Sequence, residues 1–113
     1  MATPTTNTKR VSTGVRQWIL TTADATGTKV TSPLASDRCV QTFGSFGAGT
    51  INMEGSNEEV PLNWAPLHDP QGTAITFTAA GIKQILENPL HIRATLTGST
   101  GASVTVLLHQ KGN

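Results

Sequence analysis

The fold of this chain is decided by residues 91–110, which read HIRATLTGSTGASVTVLLHQ. Two runs of alternating apolar and polar residues flank the segment GSTGA, and this alternation is typical of strands with one buried face. The glycine-containing segment between them predicts that the two strands pair as a hairpin. The side chains expected to face the core are Ile92, Ala94 and Leu96 on the first strand and Val104, Val106 and Leu108 on the second.

Short apolar or alternating runs recur upstream at intervals of about ten residues, which is the periodicity of a sandwich or a small barrel. They lie at residues 15–23, around Val30, and at residues 37–43, 50–55, 60–67 and 74–78. The segment Asp69-Pro70-Gln71-Gly72, which precedes the last run, has the residue preferences of a type I turn. The side chains expected to face the core from these runs include Ile51, Met53, Ile75 and Phe77.

Residues 78–89, TAAGIKQILENP, do not follow the alternating pattern. Ile82, Ile85 and Leu86 have helical spacing, but Gly81 and Pro89 restrict any helix to a very short one. We predict a short helical turn or an irregular crossing here. The remaining seven or eight short strands, each with one buried face, predict an all-β fold in which two antiparallel sheets pack as a β-sandwich.

The size and charge of the chain limit its domain number and its class of partner. Its 113 residues suit one domain, and we predict a single β-sandwich domain over residues 15–113. Residues 1–14 have Val11 as their only bulky aliphatic side chain, so we predict an extended N-terminal arm that is flexible when free, with a disordered tail as the alternative. The net charge of +1 is too small to favour nucleic acid or a membrane surface as a partner.

Residue types that carry chemistry are sparse and scattered. The three histidines, His68, His91 and His109, are far from one another and from Cys39, so no zinc site is predicted. No serine or cysteine lies in a nucleophile elbow, and the adjacent carboxylates Glu58-Glu59 lie in a turn, where solvated charge is usual. We therefore predict no enzyme and no cofactor, and by elimination an interaction protein. No apolar run approaches the roughly 18 residues of a membrane span, nor does the N-terminus resemble a signal peptide, so we expect the protein to stay in the cytosol where it is made or in an assembly formed there.

Two tryptophans and one cysteine are the remaining candidate functional residues. Trp18 and Trp64 are predicted as core or interface anchors, with a sugar-binding platform as the alternative for each. Cys39 is predicted to be a small buried apolar residue rather than a reactive thiol.

Residues 49–108 resemble a group of small structural proteins of phages and prophages. The recurring features are a strand ending in EGSN, a tryptophan a few residues later, a DPQG turn, an FTAAG segment, the strand ENPLHIR and a glycine-rich terminal hairpin. The chain departs from that pattern at Glu58-Glu59, where Asp-Gly is usual, and at Ala94, where a proline is common. The sequence thus resembles the head-decoration, or cement, proteins of tailed bacteriophages.

This resemblance implies a β-sandwich or jelly-roll-like fold and a place on the virion, at the capsid surface. A protein of this kind binds the outside of the phage head and bridges subunits of the major capsid protein, with copies of itself around two-fold or three-fold axes. The arm and the first strand are then expected to become ordered on the shell or on a neighbour, and the expected contact residues are Lys9, Arg10, Arg16 and Trp18. The competing reading is a module of a tail, neck or fibre that binds a receptor or a glycan.

Overall fold

A computed structural model of the protein describes residues 8–12, 14–31 and 36–111. This part of the chain is all-β and contains ten strands. They are β1 (Thr8–Ser12), β2 (Val15–Thr21), β3 (Val30–Thr31), β4 (Ser36–Ser45), β5 (Thr50–Ser56), β6 (Ala65–Pro66), β7 (Thr76–Phe77), β8 (Gly81–Gln84), β9 (His91–Thr97) and β10 (Ser103–Lys111). The number exceeds the predicted seven or eight because β6 and β7 are very short and β1 lies within the predicted arm.

The strands form two antiparallel sheets. Sheet A has the order β1-β2-β10-β4-β8, and sheet B has the order β3-β9-β5-β6, with β7 also paired to β5. The prediction of an all-β chain with two antiparallel sheets is confirmed. The runs at residues 15–23, 37–43 and 50–55 correspond to β2, β4 and β5, whereas the runs at residues 60–67 and 74–78 contribute only β6 and β7.

Pairs of strands that are distant in the sequence form a nested series. β2 pairs with β10, β3 with β9, β4 with β8, and β5 with both β6 and β7. Successive pairs belong alternately to sheet A and sheet B. The chain from β2 to β10 therefore folds back on itself: it reverses direction at residues 57–64, and its second half runs antiparallel to its first half. The paired strands are distributed over both sheets.

The predicted hairpin between β9 and β10 is wrong, because the two strands belong to different sheets. The segment GSTGA crosses from sheet B to sheet A, and residues 46–49 make the corresponding crossing from β4 to β5. The two crossings meet where Thr100 N–H donates to Gly47 O at 2.9 Å. Alternation identifies which face of a strand is buried, but it does not distinguish a neighbour in the same sheet from one across the core.

Of the two alternatives predicted for residues 78–89, the helical turn is wrong, whereas residues 85–89 are irregular. Gly81–Gln84 forms β8, which pairs with β4 so that Ile82 lies opposite Gln41. Ile85 is buried after the strand ends, whereas Ile82 and Leu86 are exposed. The helical spacing of these residues was misleading because only one of the three faces the core.

The predicted turn at residues 69–72 is present. Gly72 N–H donates to Asp69 O at 2.9 Å, and the Asp69 carboxylate accepts from the N–H groups of Gln71 and Thr73. Gly72 has φ +87°, a left-handed conformation that glycine adopts without a steric penalty. The turn brings His68 and Ala74 into an isolated antiparallel bridge.

The inward faces of both sheets form one apolar core. Leu62 and Trp64, which share one face of the run at residues 60–67, are 82% exposed and half-buried respectively. The other residues predicted to face the core are buried: Ile51, Met53, Ile75, Phe77, Ile92, Ala94, Leu96, Val104, Val106 and Leu108. Trp18 is the largest of the fully buried side chains, and its indole Nε1–H donates to Thr28 O at 2.8 Å. Gly27 packs directly against this ring, because a Cβ added there would lie 2.7 Å from Trp18 Cδ1 and 2.8 Å from Ala94 O.

Gly27→Ala is therefore expected to lower the free energy of unfolding by about 1–3 kcal/mol through overpacking. Urea unfolding followed by tryptophan fluorescence measures the change. Gly81→Ala is the matched control, since neither glycine has a positive φ and the Cβ added at Gly81 lies 3.4 Å from its nearest neighbour, Phe77 Cε2, which is an ordinary contact distance. If the indole is the obstacle, combining Gly27→Ala with Trp18→Leu costs less than the sum of the two single changes. Fully additive costs would contradict this account of the packing.

Candidate interaction face

The outer face of sheet A carries the side chains that alternate with the core residues of its strands. On β2, for example, Trp18 and Leu20 point into the core, so Gln17 and Ile19 lie on the other side. Cross-strand register places Thr105 between Ile19 and Phe43, and Leu107 between Gln17 and Gln41. We define the outer face of sheet A by the residues Val15, Gln17, Ile19, Cys39, Gln41, Phe43, Ile82, Gln84, Thr105, Leu107 and His109.

Large apolar side chains are exposed on this face. Ile19 is 44% exposed, Phe43 42% and Ile82 64%, and Leu107 lies half-buried between them. Single exposed apolar residues are ordinary on protein surfaces, but several on one flat face mark a surface suited to protein contact.

The same face lacks formal charge among its described side chains. None of its defining residues is an Asp, Glu, Lys or Arg, although the chain contains fifteen of these, eight basic and seven acidic. Asp37 and Lys111 lie at its margin, where β4 begins and β10 ends, and Lys9 of the edge strand β1 is in register with Gln17. Fully buried interface cores are depleted in charge in the same way.

A concavity of about 140 Å³ lies at one end of the face, where Val15, Leu107 and His109 meet Cys39, Gln41 and Ile82. Cys39 is half-buried here, on the outer side of β4, and not in the core as predicted. Burial raises the pKa of its thiol and so favours the protonated form. The concavity is thus a place for an apolar side chain.

A groove of about 800 Å³ lies between residues 55–68 and residues 87–89. His68 and Glu87 face each other across it: the His68 backbone N–H donates to Glu87 Oε1 at 2.8 Å, and Nδ1 donates to Oε2 at 2.6 Å. Burial alone would raise the pKa of the Glu87 carboxyl, but the hydrogen bonds from His68 outweigh it and hold that pKa below its usual value. The pair of His68 with Glu87 was not predicted from the sequence, because no local pattern links residues 19 positions apart.

The His68–Glu87 pair, which we call the clamp, joins the segment of residues 55–68 to the segment of residues 87–89. Leu86 N–H also donates to His68 O at 2.8 Å, so the backbone joins the same two segments. Ser56 is the hydroxyl among the described residues lining the groove, and its Oγ accepts from Glu58 N–H at 3.2 Å and lies 3.5 Å from Glu58 Oε1. Hydrogen bonds from Asn63 N–H, the Asn63 side chain and Leu62 N–H hold the pKa of the Glu58 carboxyl below its usual value. The polar groups of the groove are thus largely engaged with one another.

Two of the four predicted contact residues lie on the outermost strand of sheet A. Lys9 and Arg10 belong to β1, where they pair with Gln17 and Arg16 of β2. Residues 8–12 of the predicted arm therefore add a strand to the sheet, while residues 1–7 and residue 13 lie outside the described part of the chain. Among the described strands β1 pairs with β2 alone, so it forms an edge.

The other two predicted contact residues point inward. Arg16 is half-buried on the core side of β2, and its Nε atom is buried without a hydrogen-bond partner in the described structure. Trp18 is wholly buried, so it leaves no surface for a partner, and the prediction that it contacts the shell does not fit this structure. A tryptophan in an alternating strand has the same sequence signature whether the buried face meets the core or a partner.

Trp64 lies over the outer face of sheet B. The guanidinium Cζ of Arg93 is 4.2 Å from the centroid of its ring, and Arg93 Nε–H donates to Glu54 Oε1 at 2.8 Å. A cation therefore occupies one face of the ring, which is the surface that a sugar platform would present.

The described residues contain no group of three or more His, Cys, Asp or Glu side chains placed to hold a metal ion. Nor does a helix long and apolar enough to cross a membrane occur in that part of the chain.

Comparisons with models of protein families, with curated proteins and with solved structures found no significant match to this chain.

Glu87→Gln is expected to change how the stability of the fold depends on pH in the acidic range. Because the folded protein holds the Glu87 pKa below its usual value, the carboxylate stabilises the fold above about pH 4.3, the ordinary pKa of glutamate, and this contribution is lost as the pH falls through the folded value. The variant should be less stable than the wild type at pH 7 and should lose less stability on acidification. Thermal unfolding between pH 7 and pH 3 measures both, with Glu59→Gln, the same change at an exposed site, as the control. Parallel curves for Glu87→Gln and the wild type would contradict the clamp.

Proposed function

We propose that this protein is a structural component of a bacteriophage particle, a head-decoration protein that binds the outer surface of the shell and bridges subunits of the major capsid protein. The observation that carries the proposal is the exposure of Ile19, Phe43 and Ile82 on the outer face of sheet A, whose defining residues include no Asp, Glu, Lys or Arg. Such a surface serves adhesion, because its exposed apolar area is removed from water only when another protein covers it. The phage shell as partner follows from the resemblance of residues 49–108 to decoration proteins.

The finer topology that we assign is a jelly roll. The nested pairs β2·β10, β3·β9, β4·β8 and β5 with β6 and β7 support this assignment, because a jelly roll is a long antiparallel fold-back rolled into two sheets. Viral capsid domains and lectins both use this architecture. The fold is therefore compatible with a virion protein but does not select the function by itself.

The edge strand β1 supplies a second adhesive element. Its outer edge can add to a strand of a shell subunit by backbone hydrogen bonds, and Lys9 and Arg10 lie on this strand. A bridge between capsid subunits needs roughly 1,600 Å² of total buried surface for a standard contact, and a lattice of many copies makes loss of the whole coat slow. The protein stabilises the shell by adding buried area across its joints.

Replacing Lys9 and Arg10 together by serine tests the edge contact. We expect the affinity of the protein for phage heads to fall by about tenfold, which corresponds to roughly 1.4 kcal/mol, with an unchanged melting temperature. Co-sedimentation with heads stripped of the protein measures the affinity. The matched control is Lys29→Ser with Lys111→Ser, which removes the same charge at two exposed positions outside β1.

Equal binding by the Lys9/Arg10 variant and the control would remove β1 from the contact. Stained gels of purified particles test the location, because a head-decoration protein is present in proportion to the major capsid protein. A copy number tied to a tail or fibre protein, or glycan binding by the isolated protein, would overturn the head assignment in favour of a receptor-binding module.

A further inference from the structure

We propose that the loop between β5 and β6, together with the groove beside it, binds an extended basic segment of another protein. The ligand class is a peptide in which lysine or arginine accompanies aliphatic side chains. None of the residues lining the groove belongs to the outer face of sheet A, so this surface is separate from the one used in the proposed function. The proposal goes beyond that function and does not rest on it.

Aliphatic side chains at this end of the molecule are left in water. Val60 is 74% exposed and Leu62 82%, which are the largest exposed fractions among the large hydrophobic residues that the structure describes. Leu86, which directly precedes the lining residue Glu87, is 55% exposed. Exposed aliphatic side chains thus accompany both segments that form the groove, and a partner that covers them removes apolar area from water.

The groove is preformed and has an apolar part. Its lining includes Ala65, Pro66, Leu67 and Pro89. A Cβ added at Gly55 would lie 2.7 Å from Pro89 Cγ and 2.8 Å from Leu67 Cδ2, so the two segments pack closely where they meet. The volume of about 800 Å³ is within the usual range of ligand-binding clefts and is large enough for side chains of a peptide.

The loop is held in one conformation although its apex is exposed. The Glu58 carboxylate accepts from Leu62 N–H at 2.9 Å and from Asn63 N–H at 2.6 Å. Nε2 of the buried His91 donates to Glu58 O at 2.7 Å, which joins the loop to β9. A loop fixed in this way loses little conformational entropy when a partner covers it, and this preorganisation favours binding.

The charge of this surface selects the sign of its ligand. Residues 54–69 contain four carboxylates and no Lys or Arg. Glu54 is paired with Arg93, but the donors to the Glu58 carboxylate are neutral amides and a hydroxyl, and Glu59 is exposed. The apolar groups therefore supply the contact area, and the carboxylates favour a ligand that carries positive charge.

NMR titration of the ¹⁵N-labelled protein with synthetic peptides tests the proposal without phage particles. The probe is a capped hexapeptide of three lysines, two leucines and one proline, in which the proline disfavours pairing between peptide strands. We expect the largest shifts in residues 54–68 and 86–89, with a dissociation constant of about 1 mM or below. Matched probes replace the lysines by glutamates or the leucines by serines, and each should bind at least about fivefold more weakly.

Leu62→Thr is expected to raise the dissociation constant of the lysine peptide about fivefold, because it removes apolar area at the loop. Ile82→Thr is the matched control, since Ile82 is 64% exposed but lies on the outer face of sheet A. Glu59→Lys should weaken binding of the lysine peptide and strengthen binding of the glutamate peptide. All three residues are exposed, and melting temperatures check that each variant is folded.

Three results would overturn the proposal. They are shifts that map to the outer face of sheet A, equal binding of the lysine and glutamate peptides, and no binding of the lysine peptide at about 5 mM. An effect of Leu62→Thr no larger than that of Ile82→Thr would also overturn it.

These outcomes are separable from those of the proposed function. Peptide binding at the groove by a protein that does not bind phage heads would retain the site and reject the decoration role. Head binding that depends on Lys9 and Arg10, by a protein whose groove does not bind the lysine peptide, would retain the decoration role and reject the site.

Discussion

The packing of Trp18 between the two sheets is the interaction on which the rest of the structure depends. Its ring is wholly buried, it contacts the backbone at Gly27, and its Nε1–H is satisfied by Thr28 O. Gly27 N–H in turn donates to Ala94 O on β9, so the same few residues connect sheet A to sheet B. A buried tryptophan without an acceptor for its N–H would be costly, and the turn after β2 supplies that acceptor.

The inward faces of both sheets are buried in this core, so contacts with other molecules depend on the outward faces. Sheet B presents charge and an aromatic ring, in which Glu54, Arg93 and Trp64 are bound to one another. The defining residues of the outer face of sheet A present amides, hydroxyls and exposed apolar side chains, and the charged residues Lys9, Asp37 and Lys111 lie on its edge strand and at its margin. The two sides of the sandwich are therefore chemically different, and only sheet A combines a flat surface with exposed apolar area that no described residue covers. The proposal of an adhesive role rests on this asymmetry.

In the groove between residues 55–68 and residues 87–89, charged residues bind one another within the molecule. His68, Glu87, Glu58 and Asn63 are arranged so that donors and acceptors satisfy one another within the molecule. The effect is to fix the long excursion between β5 and β7 and the crossing after β8, neither of which has much regular structure. Hydrogen bonds between segments distant in the sequence replace the strand pairing that these segments lack.

The sequence alone determined the fold class, the positions of the long strands and the core residues, because burial of one strand face imposes a period of two that is visible locally. It also determined the turn at residues 69–72, whose geometry depends on Asp69 and Gly72. Only the tertiary structure decided which strands pair: β9 and β10 separate into different sheets, and β8 replaces a predicted helical turn. The outer face of sheet A was likewise invisible in the sequence, since its residues come from four strands spread between positions 15 and 109. Which strands pair with one another depends on the long-range packing of whole faces, whereas local alternation indicates only that one face of a strand is buried.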